Sequence, residues 1–189
     1  TPVEETMRAL DDLVRQGKVR YVGCSNVPAW QVADAHWIAQ TEGLAGFISA
    51  QDEYSLVIRN LEKELKPALE IYGIGLLPYF PLASGLLTGK YKRGEAMPEG
   101  TRLARAKGIS HFEKFLTDEK WTKVERLTGF VKERGHSLLE LAFSWLLAQK
   151  PVCSVIAGAT KPEQVEGNAA AAGWVLSAEE LAEVDKITA

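Results

Sequence analysis

The chain has 189 residues, 46% of them hydrophobic and 25% charged. This is the composition of an ordinary globular chain, and the length predicts a single domain over 1–189 with a sizeable core. A net charge of -3 and a pI near 5.7 exclude the basic surface that nucleic acid or an anionic membrane would select. No apolar run approaches the roughly 18 residues of a membrane span. The opening Thr1-Pro2-Val3-Glu4-Glu5-Thr6 lacks the basic and apolar regions of a signal peptide. The two cysteines, Cys24 and Cys153, fall in apolar strand-like runs. They read as small buried hydrophobes in a reducing, cytoplasmic setting, with a disulfide or metal pair the minor alternative.

In chain order, residues 3–16 carry a helical stripe at Val3, Met7, Leu10, Leu13 and Val14, with Thr1 or Thr6 as cap and Gly17 as stop. Strands are predicted at 19–24, 47–51, 74–78 and 153–157. Helices are predicted at 30–40, 61–72, 138–149, 162–171 and 178–187, the last capped by Ser177 with Glu180 three residues on. Short, continuously apolar strands alternating with helices predict an α/β chain with parallel strands buried on both faces and right-handed crossovers. The pattern admits either a small open sheet or half of an eight-stranded barrel. Residues 82–117 break the rhythm, with Gly85, Gly89, Gly94, Pro98 and Gly100 and weak periodicity. A connection of that length reads as a long βα loop over a ligand site. Neither GxGxxG nor GxxxxGK[ST] occurs.

Ligands of parallel sheets sit at the carboxyl ends of the strands. The four segments there are Gly23-Cys24-Ser25-Asn26, Gln51-Asp52-Glu53-Tyr54-Ser55, a run from Pro78 through Thr88-Gly89-Lys90-Tyr91, and a run from Gly158 to Asn168. Taken singly, their polar residues have bland readings. Ser25 and Asn26 could cap the next helix, with Pro28 in its first turn. Gln51 could be a strand-end polar residue and Tyr79 a rim aromatic. Lys90 and Arg102 could be solvated cations, and Thr160 with Pro162 could simply start a helix.

Together and in this order, the four segments resemble the aldo/keto reductase family, in the branch of bacterial reductases and potassium-channel β subunits. The exit Arg15-Gln16-Gly17-Lys18-Val19-Arg20-Tyr21-Val22-Gly23 resembles that family's passage from its fourth helix into its fifth strand. The resemblance implies a partial (β/α)8 TIM barrel, strands five to eight with their helices. It also implies NADP(H) as cofactor, with NAD(H) the second candidate, and a small carbonyl substrate reduced to an alcohol by hydride transfer.

By the same resemblance, Ser25, Asn26 and Gln51 hold the nicotinamide carboxamide and Tyr79 stacks on the ring. Leu82, Ser84, Lys90 and Arg102 serve the pyrophosphate. Gly158, Thr160, Lys161, Gln164 and Asn168 serve the adenosine 2′-phosphate and adenine, Lys161 near a helix N-terminus that favours an anion. Three positions depart from the family. Phe80 stands where relatives often have Ser, Gln164 where many have Arg, and Gly167 where many have Glu.

The family's catalytic Tyr, Lys, Asp and His come from its first four strands, and no Tyr–Lys pair here matches them. The chain is therefore expected to lack catalytic residues and to be inactive alone. His36, His111 and His136 read as surface or partly packed. Alternative readings are a non-catalytic dinucleotide-binding or regulatory module and an inert truncation, which an opening at Thr1 rather than Met favours. Exposed outer strands would promote self-association.

Overall fold

The structure, a computed structural model, describes residues 1–105 and 110–189, and of Ser110 and His111 the backbone alone. The side chain of His111 thus lies outside the described residues, as does the stretch 106–109 of the expected loop. The described residues gather into two compact units.

The first unit comprises 1–53, 60–79 and 150–154. It begins with α1 (Val3–Arg15), whose N-cap is Pro2 with no side-chain cap; Thr6 Oγ1 instead donates back to Pro2 O at 3.2 Å. The expected threonine cap does not form, because Pro2 precedes the helix and Thr6 lies inside it. Met7 and Leu10 of α1 pack on Ala35, Ile38 and Ala39 of α2 (Ala29–Glu42). Gly43, in the left-handed region at φ 66°, closes α2. The expected helix at 61–72 is split into a 3₁₀ turn at Asn60–Lys63 and α3 (Leu65–Tyr72), which ends at left-handed Gly73.

The strands β1 (Val22–Ser25), β2 (Phe47–Glu53) and β3 (Gly75–Tyr79) pair in parallel and in sequence order, as expected. Register places Ser25 beside Gln51 and Glu53 beside Tyr79. Alternation then divides the sheet. Cys24, Ala50, Asp52, Leu76 and Pro78 are buried, whereas Gly23, Ser25 and Gln51 on the opposite parity are exposed. One face is packed and the other open.

The fourth expected strand, 153–157, does not form. Leu76 N–H donates to Pro151 O (2.6 Å) and Cys153 N–H to Leu76 O (3.0 Å), a single parallel bridge between Leu76 and Val152. The next residue on that edge of β3 is Pro78, which has no N–H to continue the ladder. Cys153 is consequently exposed rather than buried, a second correction. It lies against Gly75, where an added Cβ would fall 2.5 Å from its Sγ.

The second unit comprises 54–59, 80–149 and 155–189. After a 3₁₀ turn at Ala83–Thr88 come α4 (Arg102–Arg105), α5 (Ser110–Glu113), α6 (Asp118–Glu133), α7 (Leu138–Leu147), α8 (Pro162–Ala170) and α9 (Ala178–Thr188). Helix α6 has no counterpart among the expected elements. Its signals are Thr117 as N-cap and buried Trp121, Val124, Leu127 and Val131 at helical spacing. Ser137 and Ser177 each make a full capping box, with Glu140 and Glu180.

The core of this unit centres on fully buried Trp145 and Leu141 of α7, with Tyr54, Leu86 and Leu127. Arg59 lies over the Trp145 ring, 4.8 Å from its centroid, and donates to Asp185 (2.8 Å) and Thr188 (2.6 Å) of α9. The C-terminal helix is thereby tied to the core. His36 packs against Trp37 and Tyr72 in the first unit, and His136 stacks on Trp174 in the second, consistent with partly packed histidines.

Candidate functional site

Four polar residues meet at the carboxyl ends of β1, β2 and β3. Ser25 Oγ donates to Gln51 O at 2.7 Å, Asn26 Nδ2 donates to Ser25 Oγ at 2.9 Å, and Tyr79 Oη donates to Asn26 Oδ1 at 2.7 Å. Neither Ser25 nor Asn26 caps α2: its N-cap is Pro28, with no side-chain bond. The helix-cap alternative therefore falls. Asn26 has φ 56°, a conformation that costs a non-glycine residue about 1 kcal/mol or more and persists only when its surroundings hold it. Ser25 and Gln51 are exposed on the open face, and Tyr79 is half-buried. The Tyr79 phenol is held above its ordinary pKa by burial and by the nearby Glu53 and Asp52 charges, the Asn26 bond opposing.

The first unit also contains a residue that the sequence reading did not single out. Asp52 is 8% exposed and leaves Oδ2 without a partner among the described residues. Burial raises its pKa to about 6, with the Asn26 N–H opposing. On the same face, Cys24 is raised to about 11 by burial and by the Asp52 charge. A cleft of about 490 Å³ opens beside Asp52, lined also by Asn26, Pro28, Asn60, Lys63 and Glu64. Strand parity was the available signal, since Asp52 is two residues from Ala50 and shares its buried face.

In the second unit the chain leaving β3 turns through left-handed conformations at Phe80 (φ 51°), Ala83 (46°) and Ser84 (58°), followed by Gly85 (96°). With Asn26, these three complete the non-glycine residues of positive φ among the described residues. Strain of this kind concentrates at ligand sites, and such turns turn N–H groups toward a concavity suited to anions.

Leu82, half-buried, accepts the Gly85 N–H at 2.8 Å. Ser84 is buried, with its Oγ lacking a partner among the described residues. Lys90 folds over Gly85, where a Cβ would lie 2.9 Å from the movable Nζ; it is the φ of 96° that favours glycine there. The Arg102 guanidinium sits 5.9 Å from the Phe80 centroid and 3.7 Å from where a Gly158 Cβ would be. The turn, Arg102 and the Gly158 loop are thus brought together. Phe80 itself packs against Phe112 and Phe115, an aromatic contact in place of a hydroxyl.

At α8, Lys161 is the N-cap with Pro162 at the first position, and Gln164 Oε1 accepts from Thr160 N–H (2.7 Å) and Oγ1 (3.2 Å). The N-cap makes no side-chain cap bond, so the capped-helix alternative does not form; Thr160 and Gln164 instead bond to each other across the helix start. Lys161 is exposed beside this N-terminus, and Asn168 and Gly167 are half-buried. Among the described residues no group of three or more His, Cys, Asp or Glu could hold a metal ion. No described helix is long and apolar enough to cross a membrane.

Each set of residues, taken by itself, suits one part of a nicotinamide dinucleotide. In the first unit, hydroxyl and amide groups can pair a carboxamide, which has two donors and an acceptor. In the second, an orphaned buried hydroxyl and a glycine cradle under a lysine suit a phosphate.

The profile of the aldo/keto reductase family matches residues 1–189, and the chain belongs to that family. It is 40% identical over 169 residues to a probable voltage-gated potassium channel subunit beta of Oryza sativa subsp. japonica, covering 89% of this chain and 51% of that protein. It is 34% identical over 192 residues to the L-glyceraldehyde 3-phosphate reductase of Escherichia coli K12, covering 98% and 54%. It is 32% identical over 186 residues to norsolorinic acid reductase A of Aspergillus parasiticus, covering 98% and 44%. The chain spans about half the length of the curated relatives it matches.

Proposed function

We propose that this chain supplies the cofactor-binding part of an NADP(H)-dependent oxidoreductase that converts a carbonyl to an alcohol. The observation that carries the reading is the hydrogen-bonded set Ser25, Asn26, Gln51 and Tyr79, assembled around a strained Asn26. Ser25, Asn26 and Gln51 hold the carboxamide and fix the ring's rotation, and the Tyr79 ring covers one face of the nicotinamide. In the second unit, Leu82, Ser84, Lys90 and Arg102 serve the pyrophosphate, and Gly158, Thr160, Lys161, Gln164 and Asn168 the adenosine end. When bound, the cofactor supplies hydride from nicotinamide C4.

No residue of this chain is assigned the proton transfer that accompanies hydride delivery. The open face of the sheet, with Gly23, Ser25 and Gln51 exposed, is where the rest of a barrel would pack in a complete protein. The outer strand β1 has an unpaired edge among the described strands, and such an edge promotes self-association.

The test is titration of the complete protein with NADPH and NADH, followed by quenching of protein fluorescence. Binding that is lost in Asn26→Ala and Tyr79→Ala supports the reading. Binding indifferent to both substitutions overturns it. A second reading, a dinucleotide-binding module without turnover, is favoured by the similarity to the rice channel-subunit protein. It predicts the same binding and no reduction of any aldehyde by the complete protein.

A further inference from the structure

We propose that the outer face of α2 docks a protein segment that presents an arginine or lysine among apolar side chains. This surface lies on the first unit and is independent of the cofactor reading. Helix α2 carries apolar residues on every side. Val32, Ala35 and Ala39 are buried, Ile38 and Ala39 pack with Met7 and Leu10 of α1, and His36 packs on Tyr72 of α3. The remaining face carries Trp30, Asp34 and Trp37, at spacings of four and three residues that set them in one line. Trp30 is 66% exposed and Trp37 59%. A helix that is apolar all round is ordinarily a covered helix, and tryptophan is among the residues that anchor protein interfaces. The outward residues of α1 give the contrast: Glu4, Glu5, Arg8 and Asp12 are the charged side chains of a solvent-facing helix. Since α2 already has α1 and α3 as neighbours, its outer face is not where further barrel strands would pack.

Charge defines the cover. Asp34 lies between the two indoles and forms no ion pair among the described residues, whereas the other acid of the helix, Glu42, is held by Arg8 at 2.9 Å. A purely apolar cover would bury the Asp34 carboxylate unpaired, which is costly. A second copy laid symmetrically on the stripe would set Asp34 against its own counterpart, a like-charge contact. An acidic surface would be repelled in the same way. A cation fits. The two indoles stand about 10 Å apart along the helix, so a cation paired with Asp34 comes within reach of either ring. Arginine suits the position best, because its planar guanidinium stacks on an aromatic ring while it binds a carboxylate. Apolar side chains to either side of that cation then cover Trp30 and Trp37.

The experiment adds an amphipathic helical peptide of leucine and arginine to the complete protein, with a leucine–glutamate peptide of the same length beside it. Affinity is read from the anisotropy of the labelled peptide, and the site from the indole N–H signals in NMR spectra. The expected result is saturable binding of the leucine–arginine peptide that shifts Trp30 and Trp37 and leaves Trp121, Trp145 and Trp174 in place. Asp34→Asn should weaken it roughly tenfold, the loss of one charge-assisted contact. Asp34→Lys should transfer the preference to the leucine–glutamate peptide, and Trp30→Ser combined with Trp37→Ser should abolish binding. All three side chains are exposed, so the variants should melt with the wild type. Absence of binding, equal affinity for the two peptides, an affinity indifferent to Asp34→Asn, or shifts at the other tryptophans without Trp30 and Trp37 overturns the proposal. So does sedimentation showing that the complete protein pairs with itself and that Trp30→Ser abolishes the pairing, which would make a second copy the occupant.

Discussion

Tyr79 Oη donates to Asn26 Oδ1 at 2.7 Å, joining the end of β3 to the turn after β1 across the width of the sheet. The bond uses the polar tip of Tyr79 to steady the amide while leaving the ring to stack. The two roles separate by mutation. Tyr79→Phe keeps the ring and loses one hydrogen bond, a net cost of about 1 kcal/mol, so nicotinamide affinity of the complete protein should fall roughly fivefold. Tyr79→Ala removes the stacking surface as well and should fall further by tenfold or more. Equal losses in a fluorescence titration would show that the ring does not stack.

Asp52→Asn should raise stability at neutral pH. The sign follows from its raised pKa: the folded state binds a proton more tightly than the unfolded chain. Stability from this group is therefore full below the unfolded value of 3.8, and is lost as pH rises through the folded value of about 6. At pH 7.5 the wild type carries the whole penalty of a buried charge, on the order of 1–3 kcal/mol. Urea melts at pH 7.5 should show Asp52→Asn the more stable, with the advantage shrinking toward pH 4. A constant difference between the two pH values would refute the buried-carboxylate account.

The two thiols should differ sharply. Cys24 is buried, with a pKa raised to about 11, whereas Cys153 is exposed beside Gly75. Since thiolate is the reactive form, Ellman's reagent at pH 8 should titrate one thiol in the folded chain and two in denaturant. Cys153→Ser should abolish the fast phase. A fast phase that survives that substitution would place Cys24 within reach of solvent.

The strand-end residues were legible because chemistry and position agreed. Ser25, Asn26, Gln51 and Tyr79 form one ordered string of motifs, and the sheet brings all four to one end. Pairing was less legible. Residues 153–157 have a strand's composition, but the ladder depends on Pro78 in a neighbouring strand, which the local sequence of 153–157 does not contain. Helix α6 follows a glycine-rich stretch of weak periodicity that masks its Thr117 N-cap, although its buried residues keep helical spacing. Asp52 was legible only through its strand parity with Ala50. An acid near a strand end ordinarily faces water, and only register with Ala50 and Leu76 shows that this one does not.

Lys161 should distinguish NADP(H) from NAD(H). It is exposed at the N-cap of α8, where its charge adds to that of the helix N-terminus. A 2′-phosphate adds charge that NAD(H) lacks, and a charge-assisted contact is worth about 1.5–3 kcal/mol. Lys161→Ala in the complete protein should weaken NADPH roughly tenfold or more and leave NADH nearly unchanged. Equal weakening of both would mean that Lys161 does not read the 2′-phosphate.

The chain alone should not reduce carbonyl substrates at any cofactor concentration. Hydride transfer builds negative charge on the carbonyl oxygen, and a positioned acid must relieve it. Tyr79 is the tyrosine of the proposed site, but its proton is committed to Asn26 and its pKa is raised by burial, which makes it a poorer acid. Tyr54 is fully buried, Tyr91 nearly so, and Tyr72 packs on His36. His136 is held between Trp174 and Glu140. Cofactor affinity should also be poor, because the open face leaves one side of the nicotinamide to water. Supplying the barrel strands proposed to complete it, fused or co-expressed, should raise both binding and turnover. The measurement is NADPH absorbance with 4-nitrobenzaldehyde as substrate. Clear turnover by the purified 189-residue chain, abolished by Tyr79→Phe, would make Tyr79 the acid and overturn the assignment of proton transfer to residues outside this chain.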